Sequence, residues 1–235
     1  MRRVALTFFA TFLLGGLAAA GDYADRLIIG FSPDGTYFAF EEYGIQDGSG
    51  FPYSSIYVIE TENDTWVQGT PVHIRLDDDT ATLEAARNAA YIQAEAVLQE
   101  LSIGTAGRHL VSNPITEVTN GRSVEFLLRA YSPLQSTGWT LTLHERVLPA
   151  DCPNLGYVIV GFGLLLKSPA SVTTTLNNDQ RIPDSRRCPV AYGVADVVAF
   201  DRPTDTVLIV LLNMFSIGFE GPDRRFLALA TTISE

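Results

Sequence analysis

The tetrapeptide Ser32-Pro33-Asp34-Gly35 is the local feature that most constrains the fold of this chain. It separates two short runs, residues 27–29 and 37–40, which are rich in the aliphatic and aromatic residues that strands favour. Proline presets the backbone angle of a tight turn, and glycine tolerates a positive φ at its end. The stretch therefore predicts two neighbouring strands joined by a turn, at the start of a β-rich domain.

Further strand patterns follow along most of the chain. They occupy residues 55–59, 66–67, 72–74, 124–131, 139–147, 156–167, 191–200, 207–215 and 226–233. The run at 207–212 is continuously apolar, which is typical of a central strand covered on both faces. A loop is predicted between the helix described next and residue 124, because it contains Gly107 and Pro114.

One amphipathic helix is predicted at about residues 80–101. Its apolar residues recur at spacings of three and four, so they share one face: Leu83, Ala86, Ala90, Ala94, Val97 and Leu101. Negative charge favours the beginning of a helix, and Asp79 is placed to cap it. Because the face is mostly alanine, we expect the helix to lie flat on a sheet.

These elements indicate a mainly β fold, an antiparallel sheet or sandwich-like domain with one helix. The alternative is an irregular propeller-like fold, since the Ser-Pro-Asp-Gly turn is common in propeller blades. Weaker echoes of the turn and strand begin near residues 131 and 200, at spacings of about 100 and 70 residues. Propeller blades repeat every 40–50 residues, so the spacing favours the sandwich.

The first 20 residues have the organisation of a cleaved secretory signal. Arg2 and Arg3 precede an apolar run at residues 4–17, and Ala18-Ala19-Ala20 follows it. The run is about 14 residues long, too short to span roughly 30 Å of hydrocarbon. We expect cleavage after Ala20, leaving residues 21–235 as a single secreted or periplasmic domain with no membrane span.

Charge and cysteine content narrow the possible partners. The formal net charge of −11 becomes about −13 when both signal arginines are removed, which disfavours nucleic acid and anionic membranes as partners. Cys152 and Cys188 both lie in the exported part, where an even number of cysteines predicts a disulfide. No cofactor motif is evident. Asp77-Asp78-Asp79 lacks the ligand spacing of an EF-hand calcium loop, so capping of the helix is the favoured interpretation, and calcium binding through an irregular set of oxygen ligands is the alternative.

Catalytic candidates are few. His73, His109 and His144 have no neighbours at catalytic spacing. Glu41 or Glu42 could act with Asp47 as the carboxylate pair of a hydrolase. Glu41 and Glu42 cannot pair with each other, since adjacent strand residues point to opposite faces. The alternative interpretation is that both are charged residues at an exposed strand end.

Two loops are the candidate binding surfaces, because loops on a rigid sheet commonly carry contacts. The first, at residues 43–53, contains Tyr43, Phe51 and Tyr53. The second, at residues 218–225, contains Glu220, Asp223, Arg224 and Arg225, and a related cluster at 181–189 contains Arg186. Arginine binds carboxylates in a planar two-point contact. These arginines either pair internally with acids of their own clusters or bind an anionic group of a partner.

Three phrases resemble a family of secreted bacterial proteins described only as a domain of unknown function. They are FSPDGTYFAFEEYGIQDGSGFPYSSIYVI, RIPDSRRCPVAYGV and GFEGPDRRFLAL. The resemblance covers nearly all of the mature chain and implies an exported bacterial protein, without implying an activity. We therefore expect a non-enzymatic binding or protein-interaction module of the bacterial envelope. The alternatives are a carboxylate-based hydrolase acting on an envelope carbohydrate and a purely structural envelope protein.

Overall fold

The structure is a computed structural model that describes residues 21–116, 121–129, 138–153 and 155–234. The expected signal at 1–20, and the end of the strand expected at 124–131, lie outside the described residues. The regular elements are, in chain order, β1 (Asp25–Phe31), β2 (Tyr37–Ile45), β3 (Pro52–Glu60), β4 (Thr65–Trp66), β5 (Val72–Arg75), α1 (Leu83–Glu100), β6 (Arg108–Ser112), β7 (Ser123–Phe126), β8 (Trp139–Val147), β9 (Val160–Lys167), β10 (Thr173–Asn178), a 3₁₀ turn (Asp184–Arg186), β11 (Pro189–Asp201), β12 (Thr206–Ile217) and β13 (Pro222–Ile233).

The strands form three antiparallel sheets. The N-terminal sheet has the order β1-β2-β3-β4, with β5 also paired to β3. The central sheet has the order β13-β12-β11-β6, and the outer sheet has the order β10-β9-β8-β7. The expected mainly β, antiparallel fold with one helix is confirmed. The turn at Ser32 joins β1 to β2, as the sequence predicts.

The central sheet lies between the other two. One of its faces packs on the outer sheet through a core that includes Leu208, Val210 and Leu212. Its other face packs on the N-terminal sheet through Ile209 and Leu211. Successive side chains of a strand point to opposite faces, so β12 must be apolar at every position to fill both cores. The prediction of a central strand covered on both faces is confirmed.

The layers do not form the ring of a propeller. In a propeller, each blade packs on two neighbouring blades around an axis. Here the second face of the N-terminal sheet packs on α1, through Ile56, Val72, Ala90 and Ala94. The described elements therefore make an open stack of outer sheet, central sheet, N-terminal sheet and helix.

The helix lies flat on the N-terminal sheet, as its alanine face predicts. Ala86, Ala90 and Ala94 are its buried residues. Its beginning differs from the prediction, because Thr82 and not Asp79 is the N-cap and accepts a hydrogen bond from the Ala85 amide at 3.1 Å. Within the described ranges, no helix is long and apolar enough to cross a membrane.

Two strands occur where the sequence predicts none. In β6, Val111 and Leu110 pack against the core between the central and outer sheets, although the segment was expected to be a loop. In β10 the residues are mostly exposed and polar, and pairing with β9 holds the strand in place. Neither segment has the alternation that identifies a half-buried strand, so only pairing with a neighbour reveals it.

The predicted disulfide is present between Cys152 and Cys188, whose Cα atoms are 5.9 Å apart. Cys188 immediately precedes β11, and its carbonyl accepts a hydrogen bond from the amide of Ile217 at the end of β12. The bridge therefore ties the segment before β9 to one end of the central sheet.

Candidate functional site

The two loops proposed as binding surfaces lie side by side, although they are far apart in sequence. One joins β2 to β3 and the other joins β12 to β13. A Cβ atom placed on Gly48 of the first loop would lie 3.5 Å from the ring of Phe219 in the second. Between them is a cleft of about 440 Å³, here called the acidic cleft, lined by Asp22, Gln46, Asp47, Gly48, Ser49, Phe219 and Asp223.

The wall between the loops is supplied by the first described residues of the chain. Tyr23 forms a parallel bridge with Arg224 at the free edge of β13. The Arg224 amide donates to the Asp22 carbonyl at 2.9 Å, and the Ala24 amide donates to the Arg224 carbonyl at 3.2 Å. Residues 22–24 thus extend the central sheet and bring a carboxylate to the cleft.

The side chain of Asp22 is the centre of a buried polar network. It is only 5% exposed. Its Oδ1 accepts from the Tyr53 hydroxyl at 2.9 Å, and its Oδ2 accepts from Arg225 Nη2 at 2.5 Å. Its amide donates to Asp223 Oδ1 at 3.1 Å. The network therefore joins the N-terminal segment, β3 and β13, since buried polar groups require such partners.

Glu42 lies beneath this network and is 3% exposed. Its Oε2 accepts from the Phe226 amide at 2.6 Å, and its Oε1 lies 3.7 Å from Arg225 Nε. Burial raises the pKa of Glu42 from 4.5 to about 7, and the Phe226 amide and Arg225 offset only part of the effect. A carboxylate so placed changes its charge near neutral pH.

Glu41 points to the opposite face of the same strand, as predicted, and is fully buried. Arg87 of α1 donates to it through Nε at 2.8 Å and Nη2 at 2.7 Å, and Ser54 Oγ donates at 2.9 Å. The interpretation of Glu41 and Glu42 as exposed strand-end charges is wrong, because β2 continues to Ile45 and is covered on both faces.

The structure does not bring either glutamate into the acidic cleft with Asp47. Glu41 faces α1 and is engaged by Arg87. Glu42 is covered by β13, and neither residue lines the cleft. The pair expected for the hydrolase, Glu41 or Glu42 facing Asp47 across one cavity, is therefore not found among the described residues.

The arginines proposed as binding residues are paired inside the protein. Arg225 pairs with Asp22 and lies over the ring of Tyr53, with 4.8 Å from its Cζ to the centroid. Arg224 is 5% exposed, and its Nη2 donates to the carbonyl of Ala24 at 2.6 Å. Internal pairing therefore occurs, but the expected pairing with Glu220 and Asp223 of the same cluster is not what the structure shows.

Arg186, the candidate binding residue of the other cluster, is also paired inside the protein. It pairs with Asp179 at 2.5 Å and lies over Phe162, rather than pairing with the neighbouring Asp184. Two further predicted residues also contact arginines. The Cζ atom of Arg87 lies 3.9 Å from the centroid of the Tyr43 ring, and the Cζ atom of Arg75 lies 6.0 Å from the centroid of the Phe51 ring. These contacts are cation–π interactions that stabilise the fold.

What the cleft presents outward is negative charge and one aromatic ring. Phe219 is 84% exposed at the tip of the β12–β13 hairpin, next to exposed Glu220. In the described part of the chain, Asp47 Oδ2 is shielded from water and accepts no hydrogen bond. Burial raises the pKa of Asp223, which lines the same cleft. The arrangement suits a cationic group better than an anionic one.

Sequence reasoning missed Asp22 and Phe219 as members of this cleft. Phe219 could have been identified from the sequence, because a large aromatic residue in the Gly-rich connection of a hairpin has no core to fill and is expected to be exposed. Asp22 gave none, because its burial depends on β13. In the described ranges, no group of three or more histidine, cysteine or acidic side chains is arranged to hold a metal ion.

The family model described as Predicted secreted protein (DUF2259) matches residues 39–232, which include both cleft loops. No curated protein matches the chain.

Proposed function

Because the chain belongs to the family of predicted secreted proteins (DUF2259), we propose that it is a non-enzymatic binding module of the bacterial envelope. Its partner is a protein that inserts a lysine or arginine side chain into the acidic cleft. The periplasm is the compartment that we assign to it.

The observation that carries this proposal is the exposed ring of Phe219 beside the acidic cleft. A phenylalanine side chain that is 84% exposed contributes little to the stability of the fold. On a partner surface the same ring supplies apolar contact area and a π face for a cation. Asp47 and Asp223 lie in the cleft beside it, where they can accept hydrogen bonds from an ammonium or guanidinium group.

Charge and burial support a cationic partner over an anionic one. The net charge of the chain is −11, so a basic protein is attracted at long range. The arginines that would bind a carboxylate are engaged with Asp22 and with backbone carbonyls. An anion would have to displace these buried contacts.

The test is in-cell crosslinking and affinity capture of the tagged, exported protein beside the double variant Asp47→Asn with Phe219→Ala. Both substitutions remove features of the cleft without touching the core, so circular dichroism and Tm should match the parent. A partner captured by the parent should be lost from this variant. Capture should also fall as the salt concentration rises from 0.05 to 0.5 M, because screening weakens charge attraction.

The matched control is Ile92→Ala, which removes another strongly exposed apolar residue, from α1 in the outermost layer of the stack. It should capture the partner as the parent does. Capture by the cleft variant at the parental level, or equal loss in the control, would contradict the proposal. So would a captured partner whose binding is unaffected by an excess of hexalysine peptide.

A further inference from the structure

The backbone at the expected cleavage site is held in place by β13. A Cβ atom on Gly21 would overlap the carbonyl oxygen of Pro222, so only glycine allows the chain to run this close to the strand. The next amide, of Asp22, donates to Asp223 Oδ1 at 3.1 Å. The position of the Gly21 nitrogen is thereby restricted to one end of the acidic cleft.

Successive backbone nitrogens are at most about 3.7 Å apart, given standard bond lengths. The Gly21 nitrogen therefore lies no more than about 7 Å from Asp223 Oδ1, within range for direct pairing once a side chain adjusts. When residues 1–20 are removed after Ala20, this nitrogen becomes an α-ammonium group with three donors.

The surroundings of that nitrogen carry an excess of negative charge. The charged and titratable groups at this end of the cleft and next to it are Asp22, Tyr23 and Asp25 on the N-terminal segment, Asp223, Arg224 and Arg225 on β13, Glu220 at the hairpin tip, Asp47 in the β2–β3 loop, Glu42 on β2, Tyr53 on β3, and Arg187 after the 3₁₀ turn. Burial raises the pKa of Asp223 by more than Arg225 and Arg187 lower it, so the ionised form of this carboxylate lacks full stabilisation.

We propose that the α-ammonium group of Gly21, released by removal of the signal, is a built-in ligand of the acidic cleft and pairs with Asp223. Maturation thus adds a further positive charge beside a partly buried carboxylate. The other end, with Asp47 and Phe219, stays available to a partner. In the precursor the same nitrogen belongs to a peptide bond and carries no charge.

The first measurement is the intact mass of the exported protein, which should show Gly21 as its first residue. The second is the pKa of the α-amino group, measured by NMR after ¹³C-methylation. The mature chain has a single lysine, Lys167, so only two signals are expected. The α-amino pKa should lie at least about one unit above the ordinary 7.7–8.0.

Three variants separate charge from position. Asp223→Asn should return the α-amino pKa to its ordinary value, whereas Glu220→Gln, which changes an exposed acid of the same turn, should leave it raised. A chain that retains Ala20 keeps the charge but moves it by about 3.5 Å, and its α-amino pKa should fall toward the ordinary value.

Acetylation of Gly21 changes Tm in a way that can be measured even if the Asp223→Asn variant does not fold. Because the pKa is raised in the folded state, the pairing stabilises the protein at pH 6.5 and is lost as the pH rises through the raised value. The acetylated protein should therefore melt about 3–5 °C lower at pH 6.5. Equal Tm values there, an ordinary α-amino pKa, or another first residue would overturn the inference. None of these readouts involves a partner.

Discussion

Replacing Glu42 by glutamine should make the protein more stable at pH 8 and leave it nearly unchanged at pH 4.5. Glu42 is buried between β2 and β13, and glutamine keeps its size and an oxygen for the Phe226 amide. The substitution removes only the ability to ionise. The charged groups that act on Glu42 are Arg225, Asp22 and Arg187, and all of them are retained in the variant.

The expected magnitude follows from the pKa. Burial raises the pKa of Glu42 from 4.5 to about 7 in the folded protein. At 1.36 kcal/mol for each pKa unit, this difference corresponds to about 3 kcal/mol. The folded state favours the neutral form, so the contribution is fully present below pH 4.5 and is lost as the pH rises through 7.

The assay is guanidinium unfolding of the oxidised parent and of Glu42→Gln at pH 4.5, 6, 7 and 8. Burial also raises the pKa of Asp64 and Asp223, so the stability of the parent alone changes with pH for several reasons. The difference between the two proteins isolates Glu42. That difference should grow by about 3 kcal/mol in favour of the variant between pH 4.5 and pH 8.

A difference that stays constant over this range would refute the reasoning, because it would mean that Glu42 has the same pKa in the folded and unfolded states. A difference in favour of the parent at pH 8 would mean that the pairing with Arg225 outweighs burial. A matched control is Glu60→Gln on the neighbouring strand β3, a solvent-accessible glutamate that accepts from Asn63 at 3.0 Å. It should change stability by less than about 1 kcal/mol at every pH.

Three further predictions concern the framework around the cleft. Replacing both Cys152 and Cys188 by serine should lower the free energy of unfolding by about 3.5–4 kcal/mol in denaturant titrations, from the entropy of the 36-residue loop; an unchanged midpoint would contradict this. Asp34→Ala should lower the free energy of unfolding by about 1 kcal/mol at pH 7, because hydrogen bonds from Ser32 and Thr36 hold the pKa of this exposed carboxylate at about 2. In thermal melts, the difference from the parent should shrink as the pH falls through that value. Gly35→Ala should lower the free energy of unfolding by at least about 2 kcal/mol, because φ is +73° and the new Cβ would lie 2.5 Å from the Phe200 ring. Gly69→Ala has a similar φ of +84° but no atom within 4 Å of the new Cβ, so it should cost only about 1 kcal/mol, and equal costs would exclude the contact with Phe200 as the cause.

Local patterns identified most of the regular structure correctly. The Ser32 turn, the alternation in β8 and the continuous apolar run of β12 each depend on residues that are neighbours in sequence. The disulfide could also be predicted, since two cysteines in an exported chain leave one intramolecular pairing. By contrast, β6 and β10 were missed, because their residues lack a two-residue period and become strands only by pairing.

The candidate site was anticipated as two separate loops but not as one cleft. Nothing local indicates that Gly48 and Phe219 meet, because their contact depends on how the N-terminal sheet stacks on the central sheet. Arg224 and Arg225 are candidate binding residues by sequence, but their burial follows from residues 22–24 lying along β13.

The secretory character, the β composition, the helix and the disulfide can all be predicted from the sequence, since each is encoded in short-range pattern or in covalent chemistry. Which charges are buried and which are exposed depends instead on how the layers pack. Glu41 and Glu42 are adjacent in sequence, but one meets Arg87 of a helix and the other meets β13. The pKa and the partner of a charge depend on the layer that covers it, and that layer comes from a distant part of the chain.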